Sequence, residues 1–139
     1  MKFIDQLKEK AKQNKKTIVL PETSDMRTIE AAGKVLAEGI ANIILVGDKE
    51  DIMSRAGDID LSGASFVDPK NYEKFDEYVD AFVEMRRKKG MTEARAKELL
   101  LTNPLYFGCM MVKQDDADGM VAGAINASAD VLRAALQTL

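Results

Sequence analysis

The sequence contains no histidine and no tryptophan among its 139 residues, and it has a single cysteine, Cys109. The absence of histidine excludes a Ser-His-Asp triad, a Cys-His pair, a histidine metal site and imidazole acid-base catalysis. A single cysteine forms no internal disulfide and no multi-cysteine zinc site, which favours a reducing, cytoplasmic compartment. Any chemistry must therefore use Asp, Glu, Lys, Arg, Ser, Thr or Tyr.

The chain also lacks a strong excess of either charge and any long apolar run. Its 20 Lys and Arg residues against 23 Asp and Glu residues give a net charge of -3, the wrong sign for a domain that binds nucleic acid through phosphates. No stretch approaches the roughly 20 apolar residues that cross a bilayer, and the charged N-terminus contains no signal-peptide core. We therefore expect a soluble protein with neither nucleic-acid nor membrane partners.

Short apolar runs alternate with helical patterns along the chain. The apolar runs predict strands at residues 17–20, 41–46, 65–67 and 119–125. Helical spacing predicts helices at residues 3–14, from Ser24 or Asp25 to Gly39, at 51–56, from Asp68 to Gly90, at 92–101, at 104–112 and from about Ser128 onward. This alternation favours an α/β fold, a three-layer α/β/α sandwich around a mostly parallel sheet. The last helix stops at Leu139 without a glycine cap, so we expect its pattern to continue in a longer chain.

Two loops of this predicted fold are candidate ligand sites, because the carboxyl ends of parallel strands meet helix N-termini with free N–H groups. The first comprises residues 21–25, with Arg27 just inside the following helix. In the second, residues 123–128, small side chains would let a ligand approach the backbone, and Arg133 lies in the next helix. This second loop is a candidate phosphate cradle. Alternatively, its small residues only permit close packing, and Arg133 is a surface residue.

Two further features have simple structural interpretations. The basic cluster from Arg86 to Lys89 precedes Gly90, and cations at a helix C-terminus complement the helix dipole without any ligand. Cys109 lies in the apolar run 107–112, which predicts a buried, unreactive thiol. Neither feature by itself indicates a site.

Four segments resemble the phosphate acetyltransferase family. They are IVLPETSDMRTIEAA (18–32), EMRRKKGMT (84–92), NPLYFGCMMVK (103–113) and DADGMVAGAINASADVLRAALQ (116–137). Together they cover nearly the whole chain in the family's order, and the tyrosine-phenylalanine-glycine and DADGMVAGA blocks are highly specific. The similarity to phosphate butyryltransferases is weaker.

The resemblance implies the two-domain α/β architecture of isocitrate and isopropylmalate dehydrogenases, with the active site between the domains. It implies reversible acetyl transfer between coenzyme A and inorganic phosphate, with coenzyme A as a substrate and no metal or other cofactor. Residues 1–139 would form the amino-terminal portion, most of the first domain, without the second domain and the segment that returns to the first. The family's general-base aspartate lies in that returning segment, so no catalytic residue is assigned here. The full-length protein is expected to be a homo-oligomer.

The resemblance also implies four substrate-binding residues. Arg86 matches the family arginine before the Lys-Gly-Met-Thr block, and Arg133 matches an arginine that contacts phosphate or coenzyme A. Asn126 and Ser128 lie where the family usually has His-Ser-Thr, and Ala134 replaces a usual proline. These departures bear on acyl-group preference and on activity.

Three alternative functions stay open at the level of sequence. The first is a non-catalytic regulatory module that binds phosphate or acyl-CoA, since domains of this family also occur fused to malic enzymes. The second is a phosphate butyryltransferase. The third is a stand-alone flavodoxin-like regulatory domain, which would require an acidic cluster at adjacent strand ends, whereas the acidic residues here are scattered.

Overall fold

The computed structural model describes residues 2–139, which form a parallel sheet flanked by helices. The strands are β1 (Thr17–Leu20), β2 (Asn42–Val46), β3 (Ser65–Val67) and β4 (Gly119–Met120). The helices are α1 (Phe3–Gln13), α2 (Met26–Glu38), α3 (Lys49–Ala56), α4 (Phe75–Arg86), α5 (Glu93–Thr102), α6 (Pro104–Lys113) and α7 (Ser128–Thr138), with short 3-10 turns at Pro69–Asn71 and Arg87–Lys89. Within this range, no helix has the length and apolarity needed to cross a membrane.

The strand order is β3-β2-β1-β4, and all three pairings are parallel. In register, Val19 of β1 lies beside Ile44 of β2 on one side and Met120 of β4 on the other. The chain therefore builds the sheet outward from β1 to β3 and then returns to the opposite side of β1. This reversal creates a switch point between β1 and β4, the place where open α/β sheets usually bind ligands.

The two faces of the sheet are covered by different helices. Val19 and Ile44 pack against α4, α5, α6 and α7 on one face. Leu20 and Leu45, the next residues along their strands, pack against α2 and α3 on the other face. Helix α1 stands outside both layers, with no residue fully buried. The predicted α/β/α sandwich with a parallel sheet is therefore confirmed.

Several helix ends follow directly from local sequence. The Asp25 side chain accepts a hydrogen bond from the Arg27 N–H and begins α2, and Gly39 ends it in the left-handed conformation with φ 68°. Asn103 caps α6 in the same way, ahead of Pro104. Cys109 is buried inside α6, as predicted, and burial raises the pKa of its thiol.

The predicted strand at 119–125 is wrong beyond its first two residues, since β4 comprises only Gly119 and Met120. The Val121 N–H still donates to the Val19 carbonyl at 3.1 Å. The following amides then turn away from the sheet and donate to a side chain instead of a strand. The apolar and small residues of this segment look like a buried strand in sequence, but its hydrogen-bond partner comes from elsewhere in the chain.

The predicted helix from Asp68 to Gly90 is also wrong as a single element. The Asp68 carboxylate accepts from the Lys70 N–H and starts only a 3-10 turn. Tyr72 then has extended backbone angles, φ -84° and ψ 126°, and α4 begins at Phe75. Lys74, just before α4, donates to the Asp116 carboxylate at 2.7 Å, so this break is anchored to the segment that precedes β4.

Candidate functional site

Arg86 and Arg133, the two arginines predicted to bind substrate, line one cavity of about 400 Å³. We call it the arginine cavity. It lies where the end of α4, the start of α5, α6 and α7 meet, on the side of the sheet that these helices cover. Lys89 and Arg95 add two further cations to its lining, which contains no Asp or Glu. The fold thus concentrates positive charge from three separate segments at one place.

A tight reversal after α4 gives the cavity its first wall. Gly90 adopts φ 86°, which favours glycine, and the Met91 N–H donates back to the Arg86 carbonyl at 3.2 Å. The chain then enters α5, where the Thr92 hydroxyl accepts from the Arg95 N–H at 3.2 Å. The end of α4 and the amino-terminal turn of α5, which carries partial positive charge, therefore line the same cavity.

The structure distinguishes between the adjacent arginines of the basic cluster. Arg87 donates to the Glu84 carboxylate at 2.9 Å within the same helical segment, and it does not line the arginine cavity. Arg86 does line it. The neighbours therefore provide a matched pair of one lining cation and one surface cation.

Helix α7 supplies the opposite wall. Arg133 is 61% exposed in its side chain and pairs with Asp130 at 3.1 Å, one turn earlier. One turn later, Gln137 accepts a hydrogen bond from the Tyr106 hydroxyl of α6 at 2.8 Å. Ala134, which is fully buried, packs into the core beneath them. These contacts dock α7 on α6 and leave the guanidinium of Arg133 at the cavity rim.

The chemistry of this lining suits an anion. Guanidinium groups form bidentate hydrogen bonds with phosphate and carboxylate, and helix N-termini favour negative charge. The lining offers no carboxylate to a cation. Across residues 2–139, no three Asp, Glu or Cys side chains lie close enough together to hold a metal ion.

The second predicted locus, the loop of residues 123–128, already has a carboxylate in it. Glu22, only 4% exposed, accepts from the backbone N–H groups of Gly123 at 2.6 Å, Ala124 at 2.8 Å, Ile125 at 3.0 Å and Asn126 at 2.9 Å. The Asn126 side-chain amide donates to the same carboxylate at 2.9 Å. We call residues 123–126 the amide loop. The expectation that these N–H groups form a free phosphate cradle is therefore corrected, because Glu22 engages them.

The charge state of Glu22 follows from these contacts. Burial by itself raises its pKa, but the hydrogen bonds from Asn126, Ile125 and Ala124 outweigh that effect and lower the pKa from 4.5 to about 2. Glu22 is therefore ionised at neutral pH. Arg27 holds the same loop from its other side, donating to the Ala124 carbonyl at 2.6 Å.

Asn126 and Ser128 lie apart from the two arginines. Asn126 lines a different cavity of about 440 Å³ at the carboxyl ends of the strands, together with Pro21 and Gly47. Ser128 is the exposed first residue of α7 and makes no side-chain cap. Among residues 2–139, none lines both this strand-end cavity and the arginine cavity. The structure therefore groups Arg86 with Arg133, and substrate binding by Asn126 and Ser128 stays a prediction.

Sequence reasoning missed two functional features. Arg95 follows the basic cluster in the first turn of the next helix, a position from which it can share that cluster's surface. In the sequence, Glu22 is only one residue of a candidate loop, since its partners lie 101 to 104 residues away. No local pattern identifies such a contact.

Comparison with known proteins points to one family. Residues 2–139 match the family described as Phosphate acetyl/butaryl transferase. A phosphate acetyltransferase from Acetivibrio thermocellus is 50% identical over 139 residues, which is 100% of this chain and 42% of the relative. One from Thermoanaerobacterium thermosaccharolyticum is 51% identical over 137 residues, which is 99% of this chain and 42% of the relative.

Solved structures give the same result. A phosphotransacetylase from Streptococcus pyogenes matches with a TM-score of 0.88 and 35% identity, covering 100% of this chain and 43% of its own. The EutD phosphotransacetylase from Staphylococcus aureus matches with a TM-score of 0.85 and 38% identity, covering 97% of this chain and 41% of its own. The chain thus spans less than half the length of these relatives. Since the family's pattern extends over residues 2–139, the chain belongs to the Phosphate acetyl/butaryl transferase family.

Proposed function

We propose that this chain is the amino-terminal portion of a phosphate acetyltransferase, which converts acetyl-CoA and inorganic phosphate reversibly into acetyl phosphate and coenzyme A. The observation that carries the proposal is the arginine cavity, which Arg86 and Arg133 both line although they lie on different helices. The relatives that match the whole chain are named for this activity. The cavity would bind a phosphate-bearing substrate, coenzyme A or phosphate itself.

The cationic lining fits what the reaction demands. An oxygen of phosphate attacks the thioester carbonyl, a C–O bond forms, the C–S bond breaks, and the thiolate leaves and takes up a proton. The nucleophile is an anion, and negative charge develops on the carbonyl oxygen as it attacks, so guanidinium groups and helix N–H groups are suitable stabilisers. Holding both substrates in one cleft would supply proximity. Coenzyme A serves as a substrate, and we propose no further cofactor.

The wider organisation of the protein belongs to the same proposal. The chain would form most of the first of two domains, and the second domain, the returning segment and the general base would lie outside residues 1–139. The greater length of the relatives supports this division. We further propose that the full-length protein is a cytoplasmic homo-oligomer, without nucleic-acid or membrane partners and with a role in acetate metabolism.

Two alternatives make different predictions. The family's description includes both acyl groups, and Asn126-Ala127-Ser128 departs from the family's usual loop, so butyryl transfer is a specific competitor. A regulatory module would bind coenzyme A or phosphate in the arginine cavity without turning over either acyl group.

A binding experiment tests the cavity. Titration of the 139-residue chain with coenzyme A, followed by calorimetry, should show binding that Arg86→Ala and Arg133→Ala each weaken by about tenfold. Arg133→Lys should recover part of the loss, because an ammonium keeps the charge but not the bidentate geometry. Arg87→Ala is the matched control, since Arg87 pairs with Glu84 outside the cavity. Equal effects of Arg86→Ala and Arg87→Ala would refute the site.

An activity experiment tests the reaction. The isolated chain should show no acetyl transfer above background, because the second wall of the cleft and the base are absent. A full-length chimera, in which this chain replaces the matching 139 residues of the A. thermocellus relative, should form acetyl phosphate from acetyl-CoA. Faster turnover of butyryl-CoA would favour the butyryltransferase. Coenzyme A binding without turnover of either thioester would favour the regulatory module.

A further inference from the structure

The switch point of the sheet contains a side chain where such folds usually hold a ligand. The loops that follow β1 and β4 meet there, and the backbone N–H groups of the loop after β4 face the Glu22 carboxylate of the loop after β1. In open α/β sheets this crevice commonly binds an anion at a helix N-terminus. In this chain the buried carboxylate of Glu22 lies there and accepts five hydrogen bonds.

The segment that depends on Glu22 has few other anchors. Strand β4 pairs with β1 through only Gly119 and Met120, and the Val121 N–H adds one further bond to β1. Between Val121 and α7, the contacts that hold the backbone to β1 and α2 are those of Glu22 and the Arg27 bond to the Ala124 carbonyl. The backbone that leads from β4 into α7 is therefore held to β1 and α2 largely by one carboxylate and one guanidinium, while α7 itself also packs on α6.

We propose that Glu22 is a positioning residue, an internal anion that holds the amide loop and thereby places Arg133 of α7 at the arginine cavity. The part that concerns substrate rests on the proposed function. A consequence is that the N–H groups of the amide loop are engaged by Glu22 and are not available to an external anion.

Four backbone N–H groups are divided between the two oxygens of Glu22, which explains why a carboxylate is required. One Glu22 oxygen serves Gly123 and Ala124, and the other serves Ile125 and Asn126. In Glu22→Gln, one of these oxygens becomes an NH₂ group that faces N–H donors. In Glu22→Ala, all of these donors lose their acceptor, and the space left is suited to a small carboxylate such as formate.

The test measures amide hydrogen exchange and side-chain signals by NMR in the 139-residue chain. In Glu22→Ala, the amides of residues 123–126 should exchange at least tenfold faster, the Arg133 Nε–H signal should shift, and coenzyme A affinity should fall about as far as in Arg133→Ala. Added formate should restore all three toward wild type, and Glu22→Gln should be intermediate. Glu30→Gln, which removes one exposed acidic charge from α2, is the matched control and should change none of them.

Unchanged amide exchange in Glu22→Ala would overturn the proposal. So would faster exchange with an unshifted Arg133 signal, because Glu22 would then hold the loop without positioning the arginine. If Glu22→Ala does not fold, Glu22→Gln decides the matter, and wild-type exchange and Arg133 signals in that variant would refute the proposal. If the wild-type chain binds no coenzyme A, the proposed binding of coenzyme A by the arginine cavity fails, while the exchange and Arg133 measurements still decide the role of Glu22.

Discussion

Thr17 and Asp118 hydrogen-bond to each other twice: the Thr17 N–H donates to Asp118 Oδ2 at 2.8 Å, and the Asp118 N–H donates to the Thr17 carbonyl at 2.8 Å. The pair joins the first residue of β1 to the residue before β4. Two residues earlier, Asp116 accepts from Lys74 Nζ at 2.7 Å and from the Tyr78 hydroxyl. Both aspartates of the Asp-Ala-Asp-Gly motif are therefore structural anchors of β4.

Asp118→Ala tests the first anchor. The variant leaves the Thr17 N–H, at the start of β1, without its carboxylate acceptor, and we expect the free energy of unfolding to fall by about 1 kcal/mol. Urea denaturation followed by circular dichroism measures the change. Asp58→Ala removes an exposed aspartate from the loop after α3 and should be close to neutral. Equal losses in the two variants would contradict the role of the Thr17 contact.

Gly108→Ala tests the packing of α6 beneath the switch point. A Cβ at Gly108 would lie 2.8 Å from Met120 Sδ and 3.5 Å from Pro21 Cβ. Helix propensity favours alanine by up to about 1 kcal/mol, but overpacking a core typically costs about 1 to 3 kcal/mol. We therefore expect a net decrease in the unfolding free energy in the same urea experiment.

Gly63→Ala is the control for this substitution. Its added Cβ would meet Leu36 Cδ2 at an ordinary 3.4 Å, so the core should not need to shift. We expect its melting temperature to stay near wild type while that of Gly108→Ala falls. A Gly108→Ala variant as stable as wild type would mean that Met120 moves away at no cost.

Features set by neighbouring residues could be predicted from the sequence. The strand at 17–20, the Asp25 cap and the Gly39 end each depend on a few adjacent side chains, and all three appear in the structure. The predicted strand at 119–125 fails because its later amides have a partner 101 or more residues away, which periodicity does not reveal. The placement of Arg86 and Arg133 at one cavity also depends on tertiary packing, and at the level of sequence only the family resemblance connects them.

Glu22 gives the stability of the chain a specific acid dependence. Its pKa falls from 4.5 to about 2 on folding, so the unfolded chain binds more protons at intermediate pH. The stabilisation is fully present above pH 4.5 and is lost as pH falls toward 2; the shift corresponds to about 3 kcal/mol. The Lys74 and Tyr78 hydrogen bonds outweigh the burial of Asp116 and lower its pKa too, which adds to the loss in acid.

Urea titrations of wild type and Glu22→Gln between pH 7 and pH 2.5 measure this dependence. The difference in unfolding free energy between them should be largest near neutral pH and should shrink as the wild-type carboxylate becomes protonated. Glu30→Gln should not change the pH profile in this way. A difference from wild type that is constant over the whole range would show that the charge of Glu22 does not contribute.

The ion pair between Arg133 and Asp130 is expected to weaken the binding of coenzyme A. Asp130 Oδ1 lies 3.1 Å from Arg133 Nη1, so its carboxylate competes with an incoming phosphate for the guanidinium and adds negative charge near the cavity. Asp130→Asn removes both effects, and coenzyme A affinity should rise about threefold at low salt, as expected for an exposed pair. The gain should shrink above about 0.5 M salt, where charges are screened.

Glu84→Gln is the control, because it frees Arg87, which lies outside the cavity. Unchanged or weaker binding in Asp130→Asn would mean that the ion pair orients Arg133 for the ligand instead of competing with it.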